Sequence, residues 1–254
     1  MRIVSYNILD GGEGRADPLA EVIDAQKPDV VALVEATDLA VVERIASRLK
    51  FDFVQAIGKK QASALLTRYT IRESINHALL RQGLSKSLLE ASVVDDRGIE
   101  WVFGVVHLHH HAAEKDETVR QQELAVVMDV FAPHRNAKRP HILCGDFNAD
   151  SPIQQIDPQK CKPNTRQAWK ENGGHLPRRA ISDLLSHGYV DTLHAVRGEY
   201  AANSGTFTTQ FPGQRVDHIF THGVDPARLQ GAWIEYDRLA KYASDHYPIG
   251  LEIS

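Results

Sequence analysis

The sequence contains little cysteine and shows no excess of basic residues. Its 254 residues include two cysteines, Cys144 and Cys161, too few for a disulfide framework, so a reducing compartment is favoured. The formal net charge is −4 and the pI is about 6.3, whereas proteins that bind nucleic acid regardless of sequence usually carry a basic excess. This balance argues against non-specific DNA or RNA binding, although a local basic groove is compatible with it.

The sequence also lacks a long apolar run. No stretch approaches the roughly 20 residues that a membrane-spanning helix needs. The first residues, MRIVSYNIL, start with a strand-like pattern and show no secretory signal. Apolar residues make up 43% of the chain, enough for a sizeable core, and we find no repeat, low-complexity segment or linker. We therefore expect a soluble, cytoplasmic protein with a single domain over residues 1–254 and no integral membrane segment.

The first part of the chain alternates strands with helices. RIVSYNIL and PDVVALVE predict strands, and their nearly continuous apolar runs are typical of strands covered on both faces. DPLAEVIDAQ predicts a helix with Asp17 as N-cap and Pro18 at the first helical position. DLAVVERIASRLK predicts a second amphipathic helix. The pattern indicates an α/β fold.

The middle of the chain changes to an antiparallel pattern. FDFVQAI, ASALLTR, SLLEASVV and IEWVFGVVHL predict strands, with DDRG as a hairpin turn. A helix from about Glu117 to Phe131, a strand HILCGDF and a short helix around Ile181 and Leu184 follow. The polar stretch from Ala149 to Gly174 is predicted as a disordered loop or a substrate-facing flap. RVDHIF, GAWIEY and YPIGLEI predict the last strands.

Polar residues end or follow several of these apolar strands. They are Asn7, Glu35, His107, Asp146, Asn148, Asp217, Asp245 and His246. Buried carboxylates and amides must be paired, hydrogen bonded or bound to metal, so strand ends sharing one rim would bring them together. Carboxylates and asparagine without cysteine favour Mg²⁺ or Mn²⁺ over zinc. The set suits attack of water on phosphorus, where catalysis depends on positioning and charge neutralisation.

Six short motifs, in order, carry a family resemblance. They are SYNI, VVALVE, VVHL, GDFN, RVDHIF and SDHYPI. Together they resemble the endonuclease/exonuclease/phosphatase (DNase I-like) superfamily over nearly the whole chain. The resemblance implies an α/β four-layer sandwich: two mixed, mostly antiparallel sheets packed face to face, with helices outside. It also implies a phosphoesterase, with a phosphodiesterase preferred, that uses Mg²⁺ or Mn²⁺ and in-line attack of water.

The resemblance implies a role for each residue of the metal and water site. Glu35 would be the principal metal ligand, with Asn7 beside it. Asp245 would lie near the metal or the water. Asp146 would position or deprotonate the attacking water, and Asn148 would hold a phosphate oxygen.

It likewise implies roles for the phosphate-binding residues. His107 would donate to the scissile phosphate, facing His246 across a phosphate-sized gap. Asp217 would hydrogen-bond His246. Arg120 and Arg215 would contact the substrate.

Departures from the family pattern reduce the range of possible substrates. Val34 replaces a common glutamine, and Leu9 stands where the abasic-site endonuclease branch carries aspartate. TFTTQFPGQRVDHIF replaces the Trp-rich segment of that branch, and the inositol phosphatase stretch is missing. The substrate remains a nucleic acid, a phospholipid headgroup or a small phosphate ester, and the acidic balance argues against duplex nuclease action. The oligomeric state is not indicated.

The histidine cluster in GVVHLHHH raises a zinc alternative. It contains His107, His109, His110 and His111, but the metallo-β-lactamase pattern HxHxDH fails, because His111 and Ala112 occupy its last two positions. We therefore take His107 as the functional residue and the other three as loop residues. A zinc hydrolase built on this cluster and a catalytically silent phosphate-ligand-binding domain remain as alternatives.

Overall fold

The computed structural model describes residues 1–254 as twelve strands, nine α-helices and three 3₁₀ turns. The strands are β1 (Arg2–Asn7), β2 (Val30–Val34), β3 (Asp52–Ile57), β4 (Ala62–Thr67), β5 (Thr70–Asn76), β6 (Leu88–Val94), β7 (Glu100–His107), β8 (His141–Asp146), β9 (Val190–Asp191), β10 (Asp217–His222), β11 (Leu229–Ile234) and β12 (Ile249–Ile253). The helices are α1 (Ala16–Asp24), α2 (Leu39–Leu49), α3 (His77–Leu80), α4 (Glu114–Asn136), α5 (Pro163–Glu171), α6 (Arg179–Ser186), α7 (Thr192–Arg197), α8 (Glu199–Asn203) and α9 (Arg238–Ala243). None of these helices has the length and apolar character needed to cross a membrane.

The strands form two six-stranded sheets. The first sheet has the order β11-β12-β1-β2-β4-β3 and the second the order β5-β6-β7-β8-β10-β9. Each sheet has one parallel pair, β1 with β2 and β7 with β8, and this pair occupies the centre. All other neighbours are antiparallel. The predicted α/β architecture with two mixed, mostly antiparallel sheets is confirmed.

Side chains of β7 show how the layers are built. Successive residues of a strand point to opposite faces, so Trp101, Phe103 and Val105 belong to the core between the sheets. Val102 and Val106 point the other way and belong to a second core under α4 and α6. Burial on both faces explains the nearly continuous apolar run of this strand.

Several predicted boundaries and elements differ from the structure. Helix α1 begins at Ala16 with Arg15 at the N-cap, so the prediction of Asp17 as N-cap is wrong. Asp17 lies in the first turn and accepts from Arg44 and Arg48 of α2 instead. The sequence patterns also missed β5, β9 and helices α3 and α7 to α9, which are short or largely polar, so their burial period is weak.

The segment from Ala149 to Gly174 is not a disordered loop. It contains a 3₁₀ turn at Pro158–Lys160 and helix α5. Thr165 of α5 donates to the Gln214 side chain at 2.8 Å, and Asn172 donates to the Ala112 carbonyl at 2.9 Å. The segment is therefore docked on the domain, and it forms one wall of the cleft described below.

Candidate active site

The carboxyl ends of the two central parallel pairs meet at one rim of the sandwich. Strand β1 ends at Asn7, β2 is followed by Glu35, β7 ends at His107 and β8 ends at Asp146. In the register of the second sheet, His107 lies beside Asp146. Because parallel strands end on the same side, a strand-end polar residue from each pair reaches this rim.

The neighbouring antiparallel strands bring their amino ends to the same rim. Asp217 opens β10 and pairs with Asp146 of β8. Asp245 and His246 precede β12, whose pairing with β1 places them beside Asn7. The eight predicted strand-end residues therefore converge.

The two-residue period of the strands decides which way the rim residues point. His107 follows Trp101, Phe103 and Val105 on the face between the sheets. Asp146 follows Ile142 and Cys144 on the same face of β8. The side chains of His107 and Asp146 therefore lie on the core-facing side of their strands, at the rim of the core between the two sheets.

Asn7 joins the residues of the rim. Its side-chain N–H group lies 3.2 Å from Glu35 Oε1, 3.1 Å from Asp146 Oδ2 and 3.4 Å from His246 Nε2. Its oxygen accepts from the Leu9 N–H at 3.0 Å. In this arrangement Asn7 presents N–H rather than oxygen to the carboxylates, and its place among the metal ligands stays a prediction.

His246 and Asp217 form a buried ion pair. His246 Nδ1 donates to Asp217 Oδ2 at 2.8 Å, and its Nε2 lies 3.9 Å from Asp146 Oδ2. Burial opposes protonation of this ring, but the carboxylates of Asp217, Asp146 and Asp245 raise the pKa of His246 to about 10. The ring is therefore a cation at neutral pH, and its Nε2 lies 3.9 Å from Asp146 Oδ2 and also 3.9 Å from Asp245 Oδ1.

Asp146 is buried at the centre of the site. Its Oδ1 accepts from the Asn148 N–H at 2.8 Å. Burial, and then the charge of Asp217, raise the pKa of Asp146 to about 6. The Asn148 side chain donates to the Leu108 carbonyl at 3.0 Å, so its amide N–H is held by backbone in this arrangement.

His107 is fully buried and contacts a lysine that the sequence patterns missed. Its Nε2 accepts from the Lys86 ammonium and lies 3.5 Å from Asp146 Oδ2 and 4.0 Å from Glu35 Oε1. Burial and the charge of Lys86 hold the pKa of His107 well below its usual range. The neutral ring thus offers an acceptor at Nε2, and the N–H groups at this side of the site belong to Lys86.

The other three histidines form a loop beside the cleft. His109 Nε2 lies 3.0 Å from Asp116 Oδ1, while the rings of His110 and His111 are tilted by 51° with centroids 3.9 Å apart. The one cluster of His, Cys, Asp or Glu close enough to share a metal contains Asp146, Asp217 and His246, and none of these loop histidines. The zinc hydrolase alternative has no support in this geometry.

The two arginines expected to contact substrate have structural partners. Arg120 pairs with Glu117 at 2.8 Å and donates to the carbonyls of His109 and His111, so it shapes the histidine loop. Arg215 is fully buried and makes a two-pronged pair with Asp191 at 2.7 and 3.1 Å. Arg215 does not line the cleft, which corrects its expected role as a substrate contact.

The rim opens into a cleft of about 580 Å³. Six predicted residues line it directly: Glu35, Arg120, Asp146, Asn148, Asp245 and His246. Asn7, His107 and Asp217 lie beneath these and are in contact with them. The opposite wall comes from the docked segment and the histidine loop. Its lining residues are His110, His111, Ala112, Lys162, Asn164, Thr165, Ala168, Leu176 and Pro177.

Two further lining residues had no clear sequence signal. The Phe207 ring packs on His246, with centroids 4.5 Å apart. The Lys162 ammonium lies 4.1 Å from the centre of the Phe207 ring. The one relevant sequence feature was that TFTTQFPGQ replaces a Trp-rich segment. This predicts different substrate contacts but does not identify the residues that make them.

The carboxylates of the rim fit a hard divalent cation. Asp245 Oδ1 is buried and has no hydrogen-bond partner, and Glu35 lines the same cleft. Glu35 lies close enough to Asp245 to raise its pKa further beyond the effect of burial. An ion would offset both charges, and carboxylate oxygens are the ligands that Mg²⁺ and Mn²⁺ prefer. In the Asp146, Asp217 and His246 cluster, whose ligand atoms also lie close enough to share an ion, Nδ1 of His246 is bound to Asp217 and the raised pKa of the ring disfavours it as a ligand.

The chain belongs to the endonuclease/exonuclease/phosphatase family, whose sequence model matches residues 4–246. Each activity in that name hydrolyses a phosphate ester. A search of curated proteins found no match.

Similar solved structures include a 3′ phosphatase, NExo, from Neisseria bound to a product DNA hairpin (TM-score 0.74, 19% identity, 100% of this chain and 99% of that chain). An AP endonuclease from Archaeoglobus fulgidus gives 0.71 at 19% identity, with 100% and 99% coverage. An endonuclease/exonuclease/phosphatase from Beutenbergia cavernae DSM 12333 gives 0.70 at 19% identity, with 100% and 72% coverage. At this identity the likeness establishes the fold.

Proposed function

We propose that this protein is a divalent-metal-dependent phosphoesterase that hydrolyses a phosphate ester by in-line attack of water. The observation that carries the proposal is the His246–Asp217 ion pair, which lies beside the Asp146 carboxylate and the unpartnered oxygen of Asp245. The arrangement combines a proton acceptor, a cationic donor and a carboxylate site for a hard cation.

The reaction assigns the proton acceptor to Asp146. The water oxygen bonds to phosphorus while the phosphorus bond to the leaving oxygen breaks, and Asp146 accepts the proton that the water loses. Asp146 is held by Asn7 and by the Asn148 N–H, so its orientation is set before the substrate binds. A pKa of about 6 leaves it ionised at neutral pH and basic enough to take a proton.

His246 supplies positive charge and an N–H on the leaving-group side. Asp217 fixes its ring orientation through Nδ1, which leaves Nε2–H for a phosphate oxygen or the departing oxygen. Glu35 and Asp245 would hold the cation, and Asn7 steadies Glu35. Mg²⁺ or Mn²⁺ bound there would offset the negative charge that develops on the phosphate oxygens.

The test is a metal-dependence measurement on the purified protein. After EDTA treatment, a panel of phosphomonoesters and phosphodiesters should show no turnover, and Mg²⁺ or Mn²⁺ should restore it. Either ion should also raise the melting temperature, because a ligand that binds only the folded state stabilises it. The Glu35→Gln variant should lose both effects.

Two outcomes would contradict the proposal. Restoration by Zn²⁺ alone would support the zinc hydrolase instead. Tight binding of a phosphate ester without turnover under either metal would favour the silent phosphate-ligand-binding domain.

A further inference from the structure

Lys86 is a buried ammonium in the catalytic rim that the proposed reaction has not used. Its side chain lines the cleft, yet the residue is only 8% exposed. Its one hydrogen-bond partner is His107 Nε2, and no carboxylate lies within ion-pair distance. A buried cation without a directly paired carboxylate is unfavourable, so this ammonium is available to an anion that binds from the cleft.

The main chain around Lys86 is held in place from three sides. The Ser85 N–H donates to Glu123 Oε1 at 2.9 Å, and the hydroxyls of Ser87 and Ser63 are 2.6 Å apart. At Gly58 a Cβ atom would lie 2.5 Å from the Lys86 carbonyl oxygen, so glycine allows this close approach. The lysine therefore belongs to a preorganised site.

The Lys86 ammonium has hydrogen-bond donors that remain free for a ligand. An ammonium has three N–H donors, and His107 accepts one. The other two have no protein acceptor. The charges of Asp146 and Glu35 act on this ammonium, and both residues line the cleft together with Lys86, so the free donors belong to the proposed phosphate site.

A second lysine approaches Asp146 from another segment. Lys162 lies over the Phe207 ring, which in turn packs on His246, and its charge acts on Asp245 and Asp146. Its ammonium has no hydrogen bond or ion pair with another protein group. Four carboxylates surround the reacting position, namely Glu35, Asp146, Asp217 and Asp245. A divalent ion and the His246 cation offset three of these charges, and the two lysines add the further positive charge that a doubly negative ligand needs.

We propose that Lys86 is a further catalytic residue that donates to a non-bridging oxygen of the scissile phosphate. Together with Lys162, it selects terminal phosphate groups, that is phosphomonoesters, over internal diesters. This inference rests on the proposed function and changes the diester preference that the family resemblance implied. A terminal phosphate carries two negative charges at neutral pH and an internal diester carries one. In the reaction, water and the monoester dianion give an alcohol and hydrogen phosphate.

The enclosing wall is consistent with a single substituent on phosphorus. Asn172 at the end of α5 donates to the Ala112 carbonyl of the histidine loop, so two segments that line the cleft are joined by a hydrogen bond. A monoester needs one exit path for its leaving group, whereas a diester needs room for two chains.

The experiment compares p-nitrophenyl phosphate with bis(p-nitrophenyl) phosphate in three variants and wild type. Wild type should prefer the monoester. Lys86→Met should lose about 10²–10³-fold in kcat/KM on the monoester, as for loss of one positioned donor, and under about 10-fold on the diester. Lys86→Arg should recover part of the loss. Lys59→Met, an exposed lysine outside the cleft, should match wild type.

Phosphate binding and thermal stability give readouts that do not depend on turnover. Calorimetry with inorganic phosphate and Mg²⁺ should show at least about tenfold weaker binding to Lys86→Met, in line with a lost charge-assisted hydrogen bond. The melting temperature of Lys86→Met should equal or exceed that of wild type, because the change removes an unpaired buried charge.

The outcomes separate this inference from the proposed function. Unchanged phosphate affinity would overturn the role of Lys86, and equal losses on both esters or a wild-type preference for the diester would overturn the selection of terminal phosphates. Absence of turnover by wild type with every metal would contradict the proposed function, while phosphate binding would still decide whether Lys86 contacts the anion.

Discussion

At the residue scale, the carboxylates of the site are in contact with neighbouring histidines and affect the site through them. Asp217 touches the ring of His246, and Asp146 lies within reach of both His246 and His107. Groups connected in this way act as a unit, so single substitutions are not additive.

The His246 and Asp217 variants test this coupling. His246→Ala should reduce kcat by about 10²–10⁴, the usual cost of a positioned donor or acid. Asp217→Asn should lose less, because the ring remains but is misoriented, and the double variant should be little worse than His246→Ala. Steady-state kinetics on an accepted ester measures this, with the exposed His187→Ala as control. Independent, multiplying losses in the double variant would show that Asp217 does not act through His246.

Asp150 is a buried carboxylate outside the proposed reaction. Its Oδ2 accepts from Gln214 at 2.8 Å, but its Oδ1 has no partner, and burial raises its pKa to about 6. Between its ordinary value of 3.8 and about 6, the folded state holds a proton that the unfolded state releases. Stability therefore falls as pH rises through this window, and the penalty is fully present above it.

Asp150→Asn should remove this penalty. An asparagine oxygen can still accept from Gln214, so we expect a gain of about 1–3 kcal/mol in unfolding free energy at pH 8, which shrinks to nearly zero at pH 4. Urea denaturation at both pH values measures it, and exposed Asp52→Asn is the control. A gain of the same size at pH 4 would mean that the charge of Asp150 is not the cause.

At the element scale, helix α4 supports the site from behind. It packs on the outer face of β7, where a Cβ at Gly104 would lie 2.6 Å from Phe131 and 2.5 Å from Leu143. The same helix carries Glu123, which holds both the Lys86 segment and the His109 N–H. The seating of α4 on β7 thus connects core packing to the position of Lys86.

Gly104→Ala should push α4 outward. We expect a loss of about 1–3 kcal/mol in stability, as for other overpacked cores, and partial recovery in the double variant with Phe131→Leu. Thermal or urea unfolding measures both. Gly231→Ala is the matched control, because its Cβ would meet ordinary contacts at 3.6 Å. If Gly104→Ala is as stable as this control, the close packing of α4 on β7 is not required.

At the scale of the whole molecule, the site exists only where the two sheets meet. Asn7 and Glu35 come from the first sheet, and His107 and Asp146 come from the second. Their contacts, such as Asn7 to Asp146, join positions far apart in the chain. The site therefore requires the packed sandwich, and neither sheet alone contains it.

The sequence by itself determined the fold class and eight residues of the rim. Apolar strands that end in Asn, Glu, Asp or His break the burial pattern in a way that a local reading can detect, and six ordered motifs connected them. Burial on both faces made β1, β2, β7 and β8 recognisable for the same reason.

Only the tertiary structure decided what each polar residue meets. The family resemblance predicts Arg215 as a substrate contact, but in the structure its charge is paired with Asp191 of β9. In the sequence Lys86 looks like an ordinary charged residue, and only its burial and its contact with His107 distinguish it. Partner choice depends on distances between segments remote in sequence, and periodicity carries no information about those distances. The local sequence pattern was therefore enough to predict the polar residues at the strand ends. The charged partners around them are determined by tertiary packing and could not be predicted.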